Sequence, residues 1–244
     1  MYAHVLKKLK IIPSSRVIMN ERKTYYSFHD IPFSNKDTYD SSIQPSGIKF
    51  SKQEIVHILI AMAVLTIAFS FAFVPYPSLS HFAEVITYLP LSFIAIATAF
   101  FCHEMAHKYV GQKFGYWSEF RMYPQGLLFA LFLGIFAGIV FAAPGAVQIF
   151  GKPNRDEMGK ISMAGPSMNL ILGLIFFGIW ALSNGVISTI SYYVSYINVF
   201  LALFNLLPFG PLDGLKIFRW KKEVWGLLIG LNIVLLLILW GLFL

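Results

Sequence analysis

Apolar runs of about twenty residues recur along this 244-residue chain, and they leave its backbone very few folds. Runs near 55–74, 90–110, 161–182, 186–207 and 224–243 each approach the ~20 residues with which a helix crosses a ~30 Å hydrocarbon layer. Inside a bilayer every backbone amide must be paired within the protein, so runs of this length predict helices. Only 13% of residues are charged and 57% are hydrophobic, which excludes an ordinary soluble domain. A further stretch, Leu127 to Ala143, is shorter and is followed by Pro144-Gly145. The expected fold is an all-α polytopic membrane protein of five to six transmembrane helices, with a short re-entrant or strand-forming segment around 127–150.

Charge placement orders these spans. Residues 1–50 carry Lys7, Lys8, Lys10, Arg16, Arg22, Lys23, Lys36 and Lys49, interrupted by Pro13, Pro32 and Pro45. They read as a basic cytoplasmic tail without a cleavable signal peptide, ahead of a membrane-embedded domain over 51–244. Ser51-Lys52-Gln53-Glu54 is a capping box that opens the first helix, and Pro75-Tyr76-Pro77 closes it. Lys and Arg are absent from the 75–90 and 183–191 connections but present in 111–126, 151–160 and 216–222. By the positive-inside rule the basic set is cytoplasmic. A complete crossing by Leu127–Ala143 would carry the basic 151–160 loop outside. A re-entrant hairpin therefore fits better than a sixth span, with five crossings and the amino terminus inside. The formal net charge of +7 is accounted for by these flanks, so no nucleic-acid partner is expected. The single cysteine, Cys102, excludes an internal disulfide and reads as a small buried hydrophobe.

One apolar run carries chemistry that membrane burial normally purges. His103-Glu104-Met105-Ala106-His107 lies within Leu91 to Val110. Residues four apart share a helix face, so both imidazoles can reach one tetrahedral Zn²⁺, while Glu104 can reach water at the metal. A catalytic zinc site normally takes three protein ligands. The best third candidate is Asp213, in Asn205-Leu206-Leu207-Pro208-Phe209-Gly210-Pro211-Leu212-Asp213-Gly214, where two prolines break the helix. His4, His57, His81 and Glu84 fall in the tail or near interfaces and read as solvated.

His103 to His107 within a span, Ala164-Gly165-Pro166-Ser167-Met168-Asn169 in a later one, and Asn205 through Asp213-Gly214 together resemble the site-2 protease family of intramembrane zinc metalloproteases. The match covers roughly residues 55–220. The resemblance implies that His103, His107 and Asp213 hold one Zn²⁺ per chain and that Glu104 is the catalytic base. It also implies that Asn205 steadies the substrate backbone or the oxyanion. Residues 139–151 are similar to the family's strand-forming region. The chain departs from the pattern in Leu215, where a second glycine is frequent, in the extra apolar stretch 127–138, and in showing no PDZ or CBS domain.

The expected activity is zinc endopeptidase action on peptide bonds in or near transmembrane segments of membrane-protein substrates, at a site toward the cytoplasmic side. A substrate helix must unwind and be held extended for cleavage, and residues 146–150 could supply a strand edge for it. Asn169 has a simpler expected role, hydrogen bonding between neighbouring helices. A zinc protease with a glutamate third ligand is disfavoured because no later intramembrane Glu is suitably placed. A zinc-dependent scaffold or transporter without proteolytic activity is the non-enzyme alternative. It would have no need of Glu104, and the paired broken helices of repeated transporter halves are missing.

Overall fold

In the computed structural model, residues 47–74, 82–140 and 144–241 are described. The tail expectation for 1–46 and the stop signal at Pro75-Tyr76-Pro77 lie outside them. All described residues belong to one compact unit, Lys36–Leu244.

The capping box at Ser51 is present, and it starts α1, Lys52–Phe73. The Ser51 hydroxyl accepts from Glu54 N at 3.1 Å, and the Glu54 carboxylate accepts from Ser51 N at 3.4 Å. The next helical run is continuous over three elements: α2, Phe82–Ile96, a π-helical turn, Ala97–Phe101, and α3, Cys102–Lys113. It starts eight residues before the Pro90 expected to begin it. Pro90 removes only one ladder hydrogen bond, a loss that packing against neighbouring helices tolerates.

After α3 the chain forms β1, Trp117–Met122, then α4, Pro124–Ala137, then β2, Gly145–Phe150. The strands pair antiparallel, from Trp117 opposite Phe150 to Met122 opposite Gly145. α4 opens on Pro124, whose missing N–H costs nothing at a first helical position. It closes on Gly138 in the left-handed conformation, at φ 64°. Its 14 residues rise about 21 Å, short of a hydrocarbon core. Because β1 leads into α4 and β2 leads out beside β1, the segment ends where it began. In the fold it is a hairpin, the shape a re-entrant segment takes, and α4 is a shorter apolar helix than the candidate spans. Among the described residues, five helices are long and apolar enough to cross a membrane by length and composition.

This return makes a testable statement about sidedness. Lys113 and Lys152 are both exposed, just beyond the same end of the sheet. Cysteines placed there singly, in a Cys102→Ala background, should label from the same side of sealed vesicles. Opposite accessibility would establish a full crossing between them.

α5, Arg155–Leu182, begins six residues before the expected start at Ile161, because Asn154 and Glu157 form a second capping box. Asn154 Oδ1 accepts from Asp156 N and Glu157 N, and Glu157 returns a bond to Asn154 N at 2.8 Å. The Tyr116 hydroxyl donates to Glu157 at 2.6 Å, linking the start of the sheet to the start of α5. Burial, and then that carboxylate partner, push the phenol up to about 12, so it remains a donor at physiological pH.

α6, Gly185–Asn205, α7, Asp213–Trp220, and α8, Lys222–Gly241, complete the described elements. α7 is tied to the start of α5 by Trp220 Nε1, which donates to Asp156 at 2.9 Å, and by the Arg155 guanidinium, which donates to the Arg219 carbonyl. One apolar cluster joins α1, the end of α2, the π turn, β1 and α4 through Leu65, Ile96, Phe100, Phe120 and Leu127. Another joins α5 through α8, with Leu170, Val199, Leu206, Ile217 and Leu235.

A fully buried ion pair crosses the first cluster. Lys108 Nζ donates to Glu54 at 2.8 Å and to the Ser118 carbonyl at 2.6 Å, while Phe120 N donates to the other Glu54 oxygen at 2.9 Å. Every charged oxygen and nitrogen of the pair is thereby hydrogen-bonded, the condition under which such a pair is tolerated. It fastens the start of α1, the His-bearing helix and β1 to one another.

Candidate metal centre

The helical spacing of His103 and His107 brings both imidazoles to one face of α3, turned toward α5 and α7. Their Nε2 atoms are 3.0 Å apart. Asp213, the first residue of α7, puts Oδ2 at 3.5 Å from His103 Nε2 and 2.9 Å from His107 Nε2. All three residues are buried, and their donor atoms lie within 4.8 Å of one another.

The geometry of this triangle tests the metal directly. Tetrahedral ligation at 2.0–2.1 Å requires donors about 3.3 Å apart, and the observed edges of 2.9 to 3.5 Å bracket that value. The ring nitrogens on the far side also suit a metal. His107 Nδ1 donates to the Ile161 carbonyl at 2.7 Å, and His103 Nδ1 faces Asn169 Oδ1 at 3.1 Å. A neutral imidazole protonated at Nδ1 turns a lone pair outward at Nε2.

Two glycines clear the space for this arrangement. A Cβ on Gly165 of α5 would stand 2.3 Å from His107 Nε2 and 2.6 Å from His103 Nε2. A Cβ on Gly214 would meet the Leu206 carbonyl oxygen at 2.1 Å, so only glycine lets α7 start hard against the end of α6. That contact seats Asp213 beside the histidines. Lys216 approaches the second Asp213 oxygen, Oδ1, at 3.3 Å, leaving Oδ2 to face the imidazoles.

Glu104 lies one position round the helix from His103 and points into the same cavity, where its Oε2 accepts from Val147 N of β2 at 3.0 Å. The cavity, about 390 Å³, is bounded by Leu65 and Phe69 of α1, Val147 of β2, and Phe200 and Phe204 of α6. Asn205 lines it too, with its Nδ2 donating to the Leu201 carbonyl at 3.1 Å. All five residues expected at the site, His103, Glu104, His107, Asn205 and Asp213, therefore border one cavity. Cys102 is half-buried, bordering a separate apolar groove with Met105, Tyr109 and Ser167 rather than lying in the core as expected, because its face of the helix turns away from the packed interior.

Sequence reasoning missed Lys216, the Ile161 carbonyl and the use of Asn169 beside His103. Lys216 was visible only as a loop cation. The backbone carbonyl leaves no sequence signal. Asn169 is four residues from Gly165 on the same helix face, a spacing that pointed to shared company.

Comparison with known proteins agrees with the geometry. The profile of peptidase family M50 matches residues 91–189. A Methanocaldococcus jannaschii protein named provisionally as a zinc metalloprotease is 37% identical over 192 residues, covering 78% of this chain and 95% of that protein. A Bacillus subtilis protein named in the same provisional way is 34% identical over 153 residues, covering 53% of this chain and 68% of its own length. A second M. jannaschii protein, named a zinc metalloprotease, is 28% identical over 165 residues, covering 62% of this chain and 42% of its own length. No solved structure matches the chain significantly.

Proposed function

The chain belongs to peptidase family M50, the site-2 protease family, and is a multi-pass membrane zinc metalloprotease; we propose that it cleaves protein substrates in or near their transmembrane segments, with Glu104 as general base. One observation carries this reading: three metal-competent donors and a carboxylate share a cavity that is walled by apolar helices and floored by a strand.

Zinc held by His103, His107 and Asp213 would polarise the scissile carbonyl and make water nucleophilic near neutral pH. Glu104 Oε2 is held by Val147 N–H, which leaves Oε1 to take a proton from the attacking water. The resulting hydroxyl adds to the carbonyl carbon, the C–N bond breaks, and Glu104 returns its proton to the departing amine nitrogen. Asn205, on the cavity wall, steadies the substrate carbonyl.

A substrate segment has to be extended before its carbonyl is accessible. Val147 turns its N–H away from β1, and Gly145 and Ile149, two positions to either side, share that edge. An unwound segment lying along it would pass beside Glu104, within the expected 146–150 stretch. By the positive-inside rule, the basic residues of 111–126, 151–160 and 216–222 support a cytoplasmic position for this end of the molecule, with the active site and amino terminus.

The test uses purified full-length protein and a single-span model substrate in detergent. Cleavage should stop on removal of the metal by a chelator and return with added zinc. Zinc-loaded protein that leaves the substrate intact, or cleavage indifferent to chelation, would overturn the reading.

Two variants separate ligand from substrate-positioning roles. Asp213→Ala removes a donor and the charge that offsets Zn²⁺, so bound zinc should be lost. Asn205→Ala should keep zinc and lower turnover by about 10²-fold, the scale of one lost oxyanion donor. Metal analysis of both proteins checks this, and normal zinc in folded Asp213→Ala would remove Asp213 from the ligand set.

A further inference from the structure

We propose that Asn169 is a positioning residue that fixes the His103 imidazole with Nδ1 protonated and the Nε2 lone pair turned to the metal position. Asn169 is fully buried on α5. Its amide nitrogen lies 3.0 Å from the Ala99 carbonyl oxygen and 3.4 Å from the Asn198 carbonyl oxygen. Both are obligate acceptors, so the NH₂ must occupy that side of the amide. The Asn169 oxygen is thereby left facing His103 Nδ1 at 3.1 Å. An amide oxygen only accepts, so the ring must supply Nδ1–H, and a neutral ring protonated there has its free lone pair on Nε2. The assignment follows from two backbone carbonyls and needs no assumption about the metal.

The π turn takes part in this arrangement. Within Ala97–Phe101 the ladder is widened, with Cys102 N bonding back to the Ala97 carbonyl. Asn169 bonds the Ala99 carbonyl within that turn, and Asn198 Nδ2 donates to Thr98 Oγ1 at 3.0 Å. Two asparagines from α5 and α6 grip one irregular turn, but only Asn169 continues to a histidine. His107 obtains the same tautomer from the Ile161 backbone carbonyl, a hold that no side-chain substitution removes. The orientation of the pair is therefore open to mutation at His103 alone. Asn169 is more than an interhelical link.

Asn198 supplies the control, because Asn198→Ala deletes a buried amide from the same turn without touching either imidazole. In full-length protein, zinc affinity is measured by competition with a chromophoric chelator. Asn169→Ala should weaken binding roughly 10–100-fold, the usual cost of losing an outer partner of a metal-bound histidine. Asn198→Ala should stay near wild type, and Asn169→Asp, which keeps an acceptor for Nδ1–H, should recover part of the loss. Equal weakening by the two alanine variants, or wild-type affinity in Asn169→Ala, would overturn the proposal. Should Asn169→Ala fail to fold, ¹⁵N NMR of histidine-labelled, metal-free wild type decides. His103 in its neutral form is expected with Nδ1 protonated and Nε2 bare, and the opposite tautomer would overturn the proposal. The proposal rests on the zinc reading only in treating Nε2 as a donor. The metal-free spectrum tests the tautomer even if zinc titration shows the wild type binds none.

Discussion

Replacing Glu104 by glutamine should lower cleavage by roughly 10²–10⁴-fold, the range a positioned general base contributes, while zinc stays at the wild-type stoichiometry. Glutamine has nearly the same shape, and its amide oxygen still accepts from Val147 N–H, so β2 should remain where it is. What disappears is the ability to take a proton from water and return it to the leaving amine. Glu104 is adjacent to His103 in sequence, yet its carboxylate is held by the strand and lies outside the donor triangle formed by the two imidazoles and Asp213. The measurement pairs metal analysis with single-turnover cleavage of a model membrane substrate. A rate near wild type in zinc-loaded Glu104→Gln would remove Glu104 from the chemistry.

Gly165→Ala should have an equally large effect by a different route, because it occupies the space where donor atoms converge. The added methyl would sit 2.3 Å and 2.6 Å from the two Nε2 atoms, far inside contact distance. Either α5 moves away, breaking the Ile161 and Asn169 hydrogen bonds to the rings, or the imidazoles rotate out of the site. Both outcomes should weaken zinc binding beyond the roughly 10–100-fold expected from loss of one outer partner. Since Gly165 lies inside an apolar helix where alanine is the better helix former, the protein should still be recovered folded. Competition with a chelator reads the affinity, and a variant that binds zinc as tightly as wild type would show that the α5 backbone does not confine the site.

Much of the site was legible because its main parts are local. Four-residue spacing puts His103 and His107 on one face wherever the helix goes, and the break around Pro208 and Pro211 marks where Asp213 can turn back. The hairpin was legible too, from the cost of carrying Lys152, Arg155 and Lys160 across a membrane. Parts set by distant contacts were not. β1 has no clean alternation, since its polar Ser118 and Glu119 are buried against protein. The π turn has no sequence signature either, being stabilised by amides 70 or more residues away along the chain. The early starts at Phe82 and Arg155 differ in kind. Asn154 with Glu157 was a readable cap, whereas a helix running through Pro90 depends on neighbours that replace the lost hydrogen bond.

The Lys108–Glu54 pair also has a bearing on biosynthesis. Lys108 belongs to the second membrane segment and its counter-ion to the first, 54 residues earlier. A lysine helix entering a bilayer alone would carry an uncompensated ammonium, at a cost of up to about 3 kcal/mol toward mid-span. Emerging from the ribosome after α1, the same segment meets a carboxylate already in position at the mouth of its predecessor. The first two described segments are thus suited to insertion as a hairpin that carries its own neutralising charge.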